Sequence, residues 1–152
     1  MGYRWYDAQN IAPLFPFGFG LSYTSFSISN LEVTPQVSDG THPILVQFFV
    51  ENTGSRSGAE VPQVYLGLPA STGEPPKRLA GFAKVRLDPG EKTRVHLVID
   101  PAASNHPLSY WDSEHGGWTI ADGDYAIYLG NSSRDIALTR SVHVSRPPRG
   151  TP

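Results

Sequence analysis

Between Asp88 and Asp100 the chain reads "DPGEKTRVHLVID". Val95, Leu97 and Ile99 alternate with Arg94, His96 and Val98. A period of two sends one set of side chains to a core and the other to water, the pattern of a half-buried β-strand. The turn ahead of it has its own mechanism. Pro89 presets φ at the second turn position, and Gly90 accepts positive φ at the third. The same pattern recurs along the chain: short apolar runs, rich in Val, Ile, Phe and Tyr, cut by Gly, Pro, Asp and Asn. No segment carries the 3.6-residue period of a good amphipathic helix. This pattern restricts the chain to folds built from many short strands.

"TSFSISNLEV" (24–33) alternates early, with Phe26 and Ile28 on one face. "PILVQFFVEN" (43–52) puts Ile44, Val46, Phe48 and Val50 on one face and a mixed set on the other, as a central strand covered on one side would. "EVPQVYLGL" (60–68) follows, with Pro62 at its start or on an edge, because proline has no N–H to give. "KRLAGFAKVRL" (77–87) reads as one strand or two pieces, with Gly81 a candidate bulge. "LSYWD" (108–112) and "GWTI" (117–120) read as a hairpin, "ADGD" (121–124) as a turn, and "YAIYLG" (125–130) and "IALTRSVHV" (136–144) as the last strands. About seven strands with turn signals between them predict an all-β, immunoglobulin-like antiparallel sandwich.

Composition narrows the function classes. With 39% hydrophobic residues, the 152-residue chain can build one core. A net charge of -2 with no basic block argues against nucleic acid as a partner. No apolar run approaches the ~18 residues that would indicate a membrane-spanning helix, and "MGYRWYDAQN" lacks the charged-then-apolar layout of a signal. Cysteine is absent, which removes disulfides, thiolate metal sites and a cysteine nucleophile without fixing a compartment.

The N-terminal stretch departs from the strand pattern. "GYRWYDAQNIAPLFPFGFGLSYTSF" carries Tyr3, Trp5, Tyr6, Phe15, Phe17 and Phe19, yet has no steady period of two or of 3.6. Residues 1–21 read as an extended strap whose aromatic side chains lie against a neighbour, 22–146 as the sandwich, and 147–152 as a frayed tail.

The motifs then become specific. "GYRWYD" followed by "PLFPFGFGLSYT" resembles the segment entering the C-terminal domain of glycoside hydrolase family 3 enzymes, chiefly β-glucosidases. "ENTGSRSGAEVPQVYLGLP", "PPKRLAGFAKVRLDPGE" and "YWD…GGWTIADGDYAIYLGNSSRD" resemble the fibronectin type III-like domain of those enzymes, so the likeness spans about residues 2–144. It implies a fibronectin type III-like sandwich and a parent that releases terminal non-reducing β-D-glucosyl units by a retaining mechanism. It is compatible with a secreted or periplasmic parent. The parent's nucleophile, an aspartate in a Ser-Asp-Trp context on a TIM-like barrel, and its glutamate acid/base would lie upstream. Ser-Asp-Trp does not occur here, so no catalytic residue carries over. Met1 ahead of "GYRWYD" reads as an added start on an excised piece. The implied partners are the catalytic domains of the same polypeptide, with a polysaccharide or lignin surface as the alternative; Tyr3, Trp5, Tyr6, Phe15, Phe17 and Phe19 are the expected interdomain contacts.

Other candidates weigh against simpler readings. Glycoside hydrolysis needs two carboxyl groups ~5–9.5 Å apart. Asp112 with Glu114 and Asp122 with Asp124 are the closest pairs in sequence, but both lie in turns, where Asp caps backbone N–H groups. The five histidines show no i, i+2 pair on a strand, and no calcium-loop pattern accompanies Asp122, Asp124 and Asp135, so neither metal nor cofactor is expected. Tyr125, in "IADGDY", fits the tyrosine corner of sandwich domains, although Asp122 stands where the fibronectin pattern has proline and one residue is missing. Tyr65, Tyr110, Trp111 and Trp118 are candidates for stacking on a sugar face, against the alternative that they cover the core. Asn131-Ser132-Ser133 fits the glycosylation sequon.

Overall fold

The computed structural model describes residues 2–145. The strands are β1 (Phe26–Thr34), β2 (Val37–Ser38), β3 (Ile44–Asn52), β4 (Gly58–Glu60), β5 (Gln63–Gly67), β6 (Arg78–Phe82), β7 (Val85–Leu87), β8 (Lys92–Ile99), β9 (Ser109–Asp112), β10 (Gly117–Ile120), β11 (Gly123–Gly130) and β12 (Ile136–Val144). Seven of them form the body. One sheet has the order β1-β3-β8, and the other the order β12-β11-β5-β6, extended at the β12 edge by β2 running parallel. The remaining pairs, β4 with β7 and β9 with β10, are two-stranded ribbons. The fold is the all-β antiparallel sandwich that the alternation predicts, of the fibronectin type III-like form that the resemblance implies.

The core lies between the sheets. Ile44, Val46, Phe48 and Val50 of β3 meet Val64 and Leu66 of β5, and Ile127 and Leu129 of β11, all buried. β3 is the central strand of its sheet, as its one-sided pattern requires. On β8, Val95 and Ile99 are buried while Arg94, His96 and Val98 face out. β1 needs a correction of phase to fill the same core. Phe26 and Ile28 point inward at first, but further along Leu31 and Val33 do so. A bulge between Ser29 and Glu32, with Asn30 at φ 54°, inserts the extra residue that switches faces.

The 77–87 run breaks into two pieces that join different partners: β6 pairs with β5 and β7 with β4. The bulge falls beside Gly81: Gly81 pairs with Val64 and Leu79 with Tyr65, so the register skips Ala80. β11 starts at Gly123, inside the expected 121–124 turn. The 147–152 tail lies outside the described residues.

The strap is not extended throughout. Tyr3–Ala8 forms a short helix, α1, with no side-chain cap. A helix this short does not stand alone in water; contacts to the sandwich hold it. Those contacts also explain β5, which is buried on both faces. Val64 and Leu66 enter the core, and the other face, carrying Gln63 and Tyr65, is roofed by the strap.

Candidate docking surface on the N-terminal strap

Among the described residues the strap is fixed at Asp7, at Tyr3 and at Phe17–Gly18, and also by the Arg4–Glu74 ion pair at 2.7 Å. Asp7 is the innermost, its side chain 4% exposed between Lys77 Nζ at 2.8 Å and Arg134 Nε at 2.8 Å. One carboxylate thus joins the strap to the segment before β6 and to the β11–β12 turn. Arg134 Nη2 also donates to the Ile11 carbonyl at 3.0 Å. Tyr3 is the second attachment. Its hydroxyl accepts the Leu79 N–H at 2.6 Å, and its ring stacks on Phe17 (4.7 Å) and meets Tyr65 edge-on (5.9 Å). The third lies at Phe17 and Gly18. The Phe17 carbonyl accepts from Ser133 N–H at 2.8 Å, and the Gly18 carbonyl accepts from Gln63 Nε2 at 3.3 Å. Gly18 sits at φ +81°, and a Cβ there would run into the Gln63 amide, so only glycine fits.

Burial raises the phenol pKa of both Tyr3 and Tyr65, at Tyr3 against the opposing pull of the Leu79 N–H. Tyr65 donates its proton to Gln63 Oε1.

The outer side of the strap is different. Phe15 is 67% exposed, Leu21 93% and Tyr23 91%, and Trp5, Phe17 and Phe19 keep about half their surface. Among the described residues Phe15 stacks only on Phe19, at 5.7 Å. A cleft of ≈ 570 Å³ opens beside these rings, lined by Phe19, Leu21 and Val61 on one hand and Glu60, Arg134 and Asp135 on the other. Exposed rings beside a cleft with apolar and charged walls have the make-up of a docking face.

The other sequence candidates scatter. Tyr65 offers no face to a sugar, because Tyr3 and the strap cover it. Tyr110 is half-buried on β9. Trp111 and Trp118 are paired across the β9–β10 hairpin and half-exposed, so they do not close the core. Tyr125 is fully buried; its hydroxyl accepts the Ala121 N–H at 3.1 Å and lies 3.0 Å from the Leu108 and Ala121 carbonyls. At the sequon Asn131 is half-buried and Ser132 and Ser133 are buried, and among the described residues the Asn131 side-chain oxygen is buried without a hydrogen-bond partner. The strap's Phe17 carbonyl closes over Ser133.

The paired acids act locally. Asp112 takes the His115 ring at 2.8 Å and the N–H groups of Glu114 and His115; chiefly the His115 hydrogen bond holds its carboxyl below the usual range. Asp124 takes the His143 ring at 2.7 Å across the strand pair. Among the described residues, no three His, Asp or Glu side chains gather as a metal site would need.

Asn52 carries weight that composition hides. It is fully buried at the end of β3 with all four side-chain hydrogen bonds made. Its amide donates to the Arg56 (2.7 Å) and Leu87 (3.0 Å) carbonyls, and its oxygen accepts from Thr24 Oγ1 (2.8 Å) and Gly54 N–H (3.1 Å). It thus pins the strap's exit to β7 and to the 53–57 loop. In the sequence it reads only as the end of the 43–52 strand and the start of the loop "NTGSRSG" (52–58).

Comparison with known proteins gives this geometry a context. The family described as "Fibronectin type III-like domain" matches residues 60–133. "Probable beta-glucosidase D" of Aspergillus niger is 38% identical over 95% of the chain, and "Thermostable beta-glucosidase B" of Acetivibrio thermocellus is 40% identical over 95%. The chain spans about a fifth of the length of these curated relatives, 21% and 19%. The crystal structure of a GH3 β-glucosidase from Bifidobacterium adolescentis superposes with a TM-score of 0.86 and 34% identity, over 100% of this chain and 22% of that one. That of the Trichoderma reesei β-D-glucoside glucohydrolase gives 0.82 and 36%, over 94% and 22%. The chain therefore carries a fibronectin type III-like domain of the kind found in glycoside hydrolase family 3 β-glucosidases.

Proposed function

We propose that the chain is a non-catalytic accessory domain of a β-glucosidase that hydrolyses terminal non-reducing β-D-glucosyl residues, and that its strap face seats on the catalytic domains of the same polypeptide. The strap's two-sidedness carries this reading. One side is bound to the sandwich by Asp7, Tyr3 and Phe17. The other holds up Trp5, Phe15, Phe19, Leu21 and Tyr23. Leaving such rings in water forgoes roughly 25 cal/mol per Å² of apolar surface that a partner would cover. Most of the length of the related enzymes lies outside this chain, which supplies a partner of adequate size. In this reading residues 1–21 and 22–146 act as one unit that buttresses the catalytic domains and shapes substrate access.

The catalytic part is tested on the chain alone with p-nitrophenyl β-D-glucoside. No turnover above the buffer blank is expected, since Asp112 is engaged with His115 at the β9–β10 turn and Asp124 with His143 across β11 and β12. Turnover that tracks the folded chain through purification contradicts the proposal.

A further inference from the structure

Beside the strap's Tyr3, the β9–β10 hairpin forms a groove of ≈ 310 Å³ whose wall includes Arg4, Glu74, Arg78, Asn105, Trp111 and Trp118. The two indoles meet almost at right angles (84°, 5.6 Å between centroids) and make two walls of a corner. His106 stacks on Trp118 at 4.5 Å and 20°, fixing that ring. Arg78 fixes the hairpin's base, donating from Nη1 to the Ser109 carbonyl at 2.9 Å. The rings stay about half-exposed, 53% and 50%, although Leu108 and Ile120 beside them already serve the core. Rigid, exposed indoles with no core duty point to a ligand that presents a flat apolar face.

The polar wall narrows the ligand's chemistry. Glu74 Oε2 takes both Arg4 (2.7 Å) and Arg78 (3.0 Å). Both guanidinium groups are thereby held in place, with Glu74 balancing one of their two positive charges, and among the described residues Arg4 Nε lies buried with no hydrogen-bond partner. With the Asn105 amide, the wall offers donors and acceptors side by side. An anion would meet the Glu74 carboxylate, and a purely apolar ligand would leave these groups unpaired. A neutral polyhydroxylated ring suits both walls: its C–H face lies on an indole, and its hydroxyls both donate and accept. We infer that the Trp111–Trp118 corner is a binding site for a neutral pyranoside, sharing no lining residue with the cleft beside Phe19 and Leu21.

The probe is cellopentaose titrated into the full chain, followed by tryptophan fluorescence. Saturable quenching with a dissociation constant of about 1 mM is expected. Trp111→Ala should weaken it about tenfold or more, and Glu74→Gln severalfold, while Trp5→Ala leaves it unchanged. Because a hairpin variant can misfold, oxidation of the unsubstituted chain by N-bromosuccinimide is mapped in parallel by mass spectrometry. Cellopentaose should protect Trp111 and Trp118 and leave Trp5 reactive. The site is refuted by absence of quenching up to about 20 mM, by undiminished binding in folded Trp111→Ala, or by protection of Trp5 alone. Adsorption to lignin without any response to cellopentaose refutes it equally, in favour of general stickiness of the aromatic surface.

Discussion

Replacing Asp7 by asparagine is expected to free the strap while the sandwich stays folded. The substitution keeps the shape and removes the charge, leaving Lys77 and Arg134 beside a neutral amide in a nearly closed site. Breaking a buried pair by removing one partner costs about 3–5 kcal/mol; with Arg134 one-third exposed, the lower figure of about 3 kcal/mol applies. That corresponds to roughly a hundredfold larger population with the strap open. Limited proteolysis reads this directly, because cleavage of a locally open segment follows its equilibrium population. Cleavage within 9–16 should accelerate about as much, while the core between the sheets survives. Tyr65 supplies a second signal. Burial under the strap raises its phenol pKa, so opening returns it toward its ordinary value of about 10, and it ionises in an alkaline titration before the sandwich unfolds. The exposed pair Lys92–Glu51, 3.5 Å apart, is the control: Glu51→Gln should change stability by about 0.5 kcal/mol or less. Unchanged cleavage in Asp7→Asn contradicts the latch.

Asn52→Ala acts on the sandwich itself. It deletes all four side-chain hydrogen bonds and leaves the buried Leu87 carbonyl without that donor. An unsatisfied buried group costs about 1–3 kcal/mol, and the vacated space adds to it, so a loss of about 3 kcal/mol is expected. For a domain of this size that lowers the melting temperature by about 10 °C. Asn52→Asp separates donors from acceptors. It keeps the bonds from Thr24 and Gly54 but turns a carboxylate toward the Arg56 and Leu87 carbonyls, and should be at least as damaging. Thr24→Ala removes one half-buried hydroxyl and should cost about 1 kcal/mol. A melt of Asn52→Ala within about 2 °C of the unsubstituted chain contradicts this account of the site.

Much of the sandwich was legible because strand burial obeys a period of two. β3 and β8 could be read residue by residue, as could the hairpin around "DSEHGG". Phase was lost where the backbone inserts a residue: at Asn30 nothing local announces that Leu31 rather than Ile28 will sit deepest. The strap was legible in composition but not in form. Its aromatic content called for a neighbour, yet its helix is held by Tyr65, Glu74, Lys77, Leu79 and Arg134, which are distant in sequence. For the same reason Tyr65 looked like a stacking surface: the face it shows along β5 is covered by Tyr3, sixty-two positions earlier. Asn52 went unnoticed because an asparagine before "TGS" reads as a turn residue. Only the fold shows that its amide reaches β7.

The docking role is tested most directly by footprinting. The chain is compared, free and joined behind family 3 catalytic domains in place of their own fibronectin type III-like domain, under hydroxyl-radical oxidation read by mass spectrometry. If the strap face is the seat, oxidation of Trp5, Phe15 and Phe19 falls about tenfold or more on joining, as for side chains at an interface centre, while Trp111 and Trp118 stay reactive. Equal oxidation of Trp5, Phe15 and Phe19 in both forms, with the joined protein folded and active, would contradict it.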